Sequence, residues 1–135
     1  MHSNEKLKDS AEVLRRLSRV VEDPELLEGL CATIAELVEA FRPLSVVVAG
    51  SLARRRFVKG VSDVDLLVVV ERVRDEDRFH LRAVGSTDVE ITVVGLDELV
   101  EAVRRGNQFY RECLDGVEVY GSLLPELRRR AGLQG

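Results

Sequence analysis

Apolar positions first recur at helical spacing. Between residues 5 and 21, Leu7, Ala11, Leu14, Leu17 and Val21 alternate with Glu, Lys and Arg, which predicts an amphipathic helix. Asp23-Pro24 then offers an N-cap and a first-turn proline. Leu26, Leu27, Leu30, Ile34, Leu37, Val38 and Phe41 draw one stripe on a second helix that ends near Pro43. From Leu44 the helical period is lost. Val46-Val47-Val48 is a β-branched run that stops at Gly50-Ser51, as a strand buried on both faces does on entering a turn. Residues 66–70, entered through Gly60-Val61-Ser62, and residues 89–94 read as two more apolar strands.

Residues 71–87 fit two patterns: a short helix, or a strand alternating through Phe79, Leu81 and Ala83 that hairpins back at Gly85-Ser86. The helix is preferred. Acids near the starts of the second and third strands meet only if those strands are parallel, and parallel strands need a crossover. Further on, Leu96, Leu99, Val100 and Val103 mark a helix closed by Gly106, and Asn107 caps a short successor carrying Tyr110, Cys113 and Leu114. Residues 117–120 read as an edge strand, and Pro125 opens a basic terminal helix. The expected architecture is an α/β fold, a mixed sheet of about four strands packed by helices, with a two-helix N-terminal extension.

Composition narrows the class. A chain of 135 residues with 45% hydrophobic and 33% charged positions suits one domain over 1–135: helical extension 1–43, core 44–121, terminal helix and tail 122–135. The net charge of -4 makes bulk nucleic-acid binding an unlikely role. The opening residues lack a signal-peptide hydrophobic region, and no apolar run reaches the roughly 18 residues of a membrane span, so a cytoplasmic protein without a membrane partner is expected. Cys31 and Cys113 are isolated within apolar helical patterns and read as buried reduced thiols.

The candidate chemistry is Gly50-Ser51, a spacer from Leu52 to Ser62, then Asp63-Val64-Asp65 at the head of an apolar strand. Glycine lets the backbone approach a phosphate closely, and serine at a helix start offers a hydroxyl and an N–H to its oxygens. Asp63 and Asp65 are two apart, so on a strand their carboxylates project from one face, about 7 Å apart. Such oxygen donors suit Mg²⁺ or Mn²⁺, and paired carboxylates at a buried strand start are costly without a cation. Glu90, between Val89 and Ile91, is the natural third carboxylate; Asp88, on the same strand face, is the alternative. Gly-Ser alone is a common turn and Asp-Val-Asp alone a common loop end; the joint spacing between apolar strands is what carries information. Arg54, Arg55, Arg56 and Lys59 are candidates for steadying phosphate oxygens, with Arg54 and Lys59 assigned to nucleotide binding, while a solvated helix face explains any one of them equally well. His80 reads as a surface or strand residue, and Tyr110 and Tyr120 as core-edge aromatics.

These motifs resemble those of nucleotidyltransferases of the DNA polymerase β superfamily. The order of strand, Gly50-Ser51, Asp63-Val64-Asp65-Leu66, third acid, then Gly106-Asn107-Gln108-Phe109 and Gly116-Val117-Glu118-Val119-Tyr120 is similar to the minimal nucleotidyltransferases of archaea and bacteria, over roughly residues 44–121. The resemblance implies that Gly50 and Ser51 hold the triphosphate, that Asp63 and Asp65 bind both metal ions, and that Glu90 binds the one nearer the attacking hydroxyl. It implies transfer of a nucleoside monophosphate, AMP from ATP, at a site on one sheet edge where strand ends converge. It also implies a partner that supplies the acceptor: a small helical HEPN-type toxin that the transferase adenylylates as antitoxin. The rivals are a homodimer completing a site for a small molecule and a non-catalytic nucleotide-binding subunit. The connection between the second and third strands is shorter than the family pattern, and the N-terminal extension is longer.

Overall fold

Asp23 accepts a hydrogen bond from the Leu26 N–H at 2.9 Å and Pro24 fills the first turn, so helix α2 (Pro24–Phe41) begins where its cap and proline predict. The computed structural model describes residues 2–133. Helix α1 (His2–Leu17) precedes α2, and the chain continues through β1 (Ser45–Ala49), α3 (Gly50–Ala53), β2 (Val64–Val70), β3 (Phe79–Val84), β4 (Thr87–Gly95), α4 (Leu96–Arg104), α5 (Gln108–Cys113), β5 (Val117–Tyr120) and α6 (Leu124–Arg130). The strands form one sheet in the order β3-β4-β2-β1-β5, in which only the β2–β4 pair is parallel.

Both faces of the sheet are covered, which is why its central strands are continuous apolar runs. Val46, Val48, Leu66, Val68, Ile91 and Val93 pack under α1 and α2 against Leu17, Leu30, Ile34 and Leu37. Val47, Ala49, Leu67, Val69 and Val94 pack on the other face against Leu99, Val103, Cys113, Leu114 and Leu127 of α4, α5 and α6. Asp65 and Glu90 fall in the register of this second face.

Three expectations are corrected. The sheet has five strands, not about four. The extra one is β3, in the segment for which a helix was preferred: it hairpins through Gly85-Ser86 onto β4, leaving only a short 3₁₀ turn at Asp75–Asp77. The crossover that the parallel β2–β4 pair requires is made by an edge strand. The chain leaves β2, passes along the far side of β4 as β3, and returns as β4 parallel to β2, which fits a connection too short for a packed helix. The first helix also turns a different side inward. Val13 and Leu17 are buried, with Val21 beyond the helix end, whereas Leu14 is 47% exposed and Ala11 is exposed. The side chain of Leu7 lies outside the described residues.

Candidate active site

The strand register brings the acids together. Asp65 on β2 is the direct parallel neighbour of Glu90 on β4, and Ala49, the last residue of β1, faces Asp65 from the other side. β2 is the middle strand, so the acids lie at the end of the central strands and not at a sheet edge. Burial, a hydrogen bond shared with Glu90, and the negative charges of Glu90 and Asp63 push the Asp65 carboxyl up to about 6, with Arg54 opposing them. Asp63 precedes the strand and is exposed.

Gly50 follows β1 directly with φ +67°, a conformation that strains any residue with a side chain. A Cβ there would overlap the Oδ2 of Asp65. Glycine at this point therefore does two things: it turns the chain into α3 and leaves room for the central carboxylate. Ser51 follows in α3, half-buried, and the Arg54 Nε donates to the Gly50 carbonyl at 3.3 Å, holding that guanidinium beside the turn.

Whether these residues suit a cation can be judged against another acid of the same sheet. Glu118 Oε2 accepts from the Ser45 hydroxyl (2.5 Å) and from the N–H groups of Leu123 and Leu124 (2.8 and 3.0 Å), so its charge is satisfied by the fold. Among the described residues, Asp65 and Glu90 have no such donors, and burial and the neighbouring Glu90 push the Asp65 carboxyl up. Two adjacent hard-oxygen donors without protein N–H or O–H partners of their own, with a third carboxylate within electrostatic reach, fit a divalent cation. The described residues hold no closed group of three or more His, Cys, Asp or Glu ligands; the arrangement is a tight pair with Asp63 at its rim.

Residues 30–121 match the family model described as "Nucleotidyltransferase domain". The chain belongs to that family. No curated protein matches it. The matched segment starts within α2, earlier than the strand-based boundary at residue 44, and stops at Gly121, after β5. Its chemistry is nucleotidyl transfer, and no helix of the described residues is long and apolar enough to cross a membrane.

The nucleotidyltransferase does not bring every candidate cation to the acids. The Lys59 Nζ is held by Asp23 at 2.9 Å, tying the loop after α3 to the start of α2. An Arg55 Nη donates to the Arg19 carbonyl, and both residues line a recess of about 300 Å³ with Lys59 and Phe57. Arg56 is exposed. His80 is on β3 but on the face opposite the acids, its ring 5.5 Å from that of Phe41. Tyr110 and Tyr120 are partly buried against the two cores. Both cysteines are free thiols, Cys31 half-buried and Cys113 buried on α5 as its helical pattern predicts; Cys113 also lies within the field of Asp65, desolvation first and Asp65 second pushing its thiol up to about 12. No local signal in the chain links two residues so far apart.

A proton held by Asp65 implies a pH dependence. Its folded-state value of about 6 lies above the ordinary 3.8, so the proton's stabilising contribution is complete below pH 3.8 and is lost as pH rises through about 6. For a half-exposed carboxyl the loss is about 1–2 kcal/mol after solvent screening. A divalent cation bound by Asp65 would replace that proton. Mg²⁺ should therefore raise the denaturation midpoint more at pH 7.5 than at pH 5, and Asp65→Asn should abolish the difference. Equal Mg²⁺ effects at both pH values in the wild type would rule this out.

Proposed function

We propose that this nucleotidyltransferase moves AMP from ATP to a hydroxyl of a partner protein, acting as the adenylylating antitoxin of a small helical HEPN-type toxin. The observation that carries the chemistry is the Asp65–Glu90 pair, set at adjacent strand starts beside the Gly50 turn. Gly50 and Ser51 receive the triphosphate, and Arg54 adds positive charge beside it. Asp63, Asp65 and Glu90 hold divalent cations, Mg²⁺ or Mn²⁺, which when bound polarise the phosphate and acidify the acceptor hydroxyl. Glu90 lies on the β3 side of Asp65, away from Gly50, and so faces the acceptor. As the acceptor oxygen bonds to the α-phosphorus, the bond to the β-phosphate oxygen breaks, pyrophosphate leaves with that electron pair, and the acceptor proton passes by way of Glu90 to solvent.

The test uses purified chain, Mg²⁺, a co-expressed HEPN-type protein and ATP labelled in the α- or the γ-phosphate. Covalent α-label with pyrophosphate release is expected; γ-label on the acceptor would overturn the reaction type. A milder effect should follow from Ser51→Ala, which removes one hydroxyl from the cradle and leaves the acids alone. A several-fold weaker affinity for a non-hydrolysable triphosphate is expected in calorimetry, about 1 kcal/mol for one hydrogen bond. Unchanged affinity would remove Ser51 from the site.

A further inference from the structure

Strand β3 carries an unexplained surface. It ends the sheet, so among the described residues its outer backbone edge has no strand partner, and along its length Arg82 is the only charged residue. Edge strands are ordinarily protected by charge, bulges or a covering element, because free N–H and C=O groups invite another strand. One face of β3 is protected: His80 meets Phe41, and Val84 packs with the α1–α2 core. The other face is not. Phe79 and Leu81 are each 58% exposed, and Ala83 is exposed beside them.

That open face is the face of the acids. Register pairs Leu81 with Glu90, Ala83 with Asp88 and Phe79 with Thr92, and cross-strand partners share a side of the sheet. Apolar side chains thus stand directly beside Glu90. The acids' face of β3 carries apolar side chains and no cation, Arg82 being on the other face, so it offers a phosphodiester chain or a hydrophilic sugar little to hold. It complements a polypeptide with apolar side chains.

We infer that β3 is the acceptor-docking strand: an extended segment of the acceptor protein adds to its free edge, with apolar side chains on Phe79 and Leu81, and so brings a hydroxyl to Glu90. Main-chain hydrogen bonds to β3 supply affinity and the alternate side chains supply selectivity, as in other cases of strand addition. Phe79 and Leu81 are then specificity-determining residues. The inference rests on the nucleotidyl-transfer reading of the same site.

The probe is a positional library of peptides about twelve residues long, each with one Ser, Thr or Tyr, incubated with the full chain, Mg²⁺ and α-labelled ATP. Labelling should favour peptides with apolar residues at alternate positions by about tenfold or more, and N-methylation at alternate backbone nitrogens should remove it. Leu81→Ser and Phe79→Ser should each lower kcat/KM for the favoured peptides by about tenfold, chiefly through KM, with triphosphate affinity measured alongside as the check on folding. Equal labelling by wild type and both variants, or better labelling of an RNA oligonucleotide or an aminoglycoside than of any peptide, would overturn the proposal. Pyrophosphate release without peptide labelling would overturn the docking strand alone. Absence of pyrophosphate release with any acceptor, water included, would take the nucleotidyl-transfer reading down with it.

Discussion

Asp63→Asn and Asp65→Asn are each expected to lower nucleotidyl transfer by at least about a thousandfold, roughly 4 kcal/mol in the barrier, because in the proposed mechanism each supplies a charged oxygen donor to the cations. Their stabilities should differ. Asp65 is half-buried against Glu90 and holds its proton up to about pH 6, so at pH 7.5 without cations it is a net burden on the fold. Its asparagine variant should unfold at a higher temperature than the wild type in chelator at that pH. Asp63 is exposed, and its variant should unfold with the wild type. Single-turnover transfer and thermal denaturation on the same preparations check both halves. A folded mutant of either residue with full transfer would place the cation site elsewhere.

The second large effect separates Glu90 from Asp88. Glu90 is in register with Asp65 and bonded to it, while Asp88 is two residues further out, exposed, and opposite Ala83. Glu90→Gln should keep near-normal affinity for Mg²⁺-triphosphate, which the proposed mechanism assigns mainly to Gly50, Ser51 and the two aspartates, yet lose transfer by two to three orders of magnitude, about 3–4 kcal/mol. Asp88→Asn should stay within about twofold of the wild type. An inactive Asp88→Asn beside an active Glu90→Gln would reverse the assignment, and would require β4 to slide by two residues against β2.

Much of the fold was legible because local signals agree with the tertiary result. The Asp23 cap, the Asn107 cap, the Val46-Val47-Val48 run and the alternation at 117–120 are each decided by neighbours in the chain, and each element stands where its signal lies. The first helix is a partial exception. Its heptad-like pattern admits two stripes, one through Leu14 and one through Val13 and Leu17, and packing against α2 and β5 selects the second. The strand within residues 71–87 is hidden in the sequence for a related reason. Alternation at Phe79, Leu81 and Ala83 was visible, but those residues face outward, so no burial requirement marked them as strand.

For the site, the chain by itself determined that a strand stops at Gly50, that Asp63-Val64-Asp65 stands at the head of another, and that an acid stands near the start of a third. These follow from spacing and from polar residues interrupting apolar runs, which need no knowledge of distant contacts. Tertiary structure alone decided which acid neighbours Asp65, that Gly50 must lack a side chain because Asp65 occupies the space, that Lys59 pairs with Asp23 while Arg54 stays beside the acids, and that β3 leaves an apolar ledge next to Glu90. Each of these depends on strand order and register, set by how two helical layers bury the two faces of one sheet. Burial is a property of the whole assembly, and no window of neighbouring residues contains it.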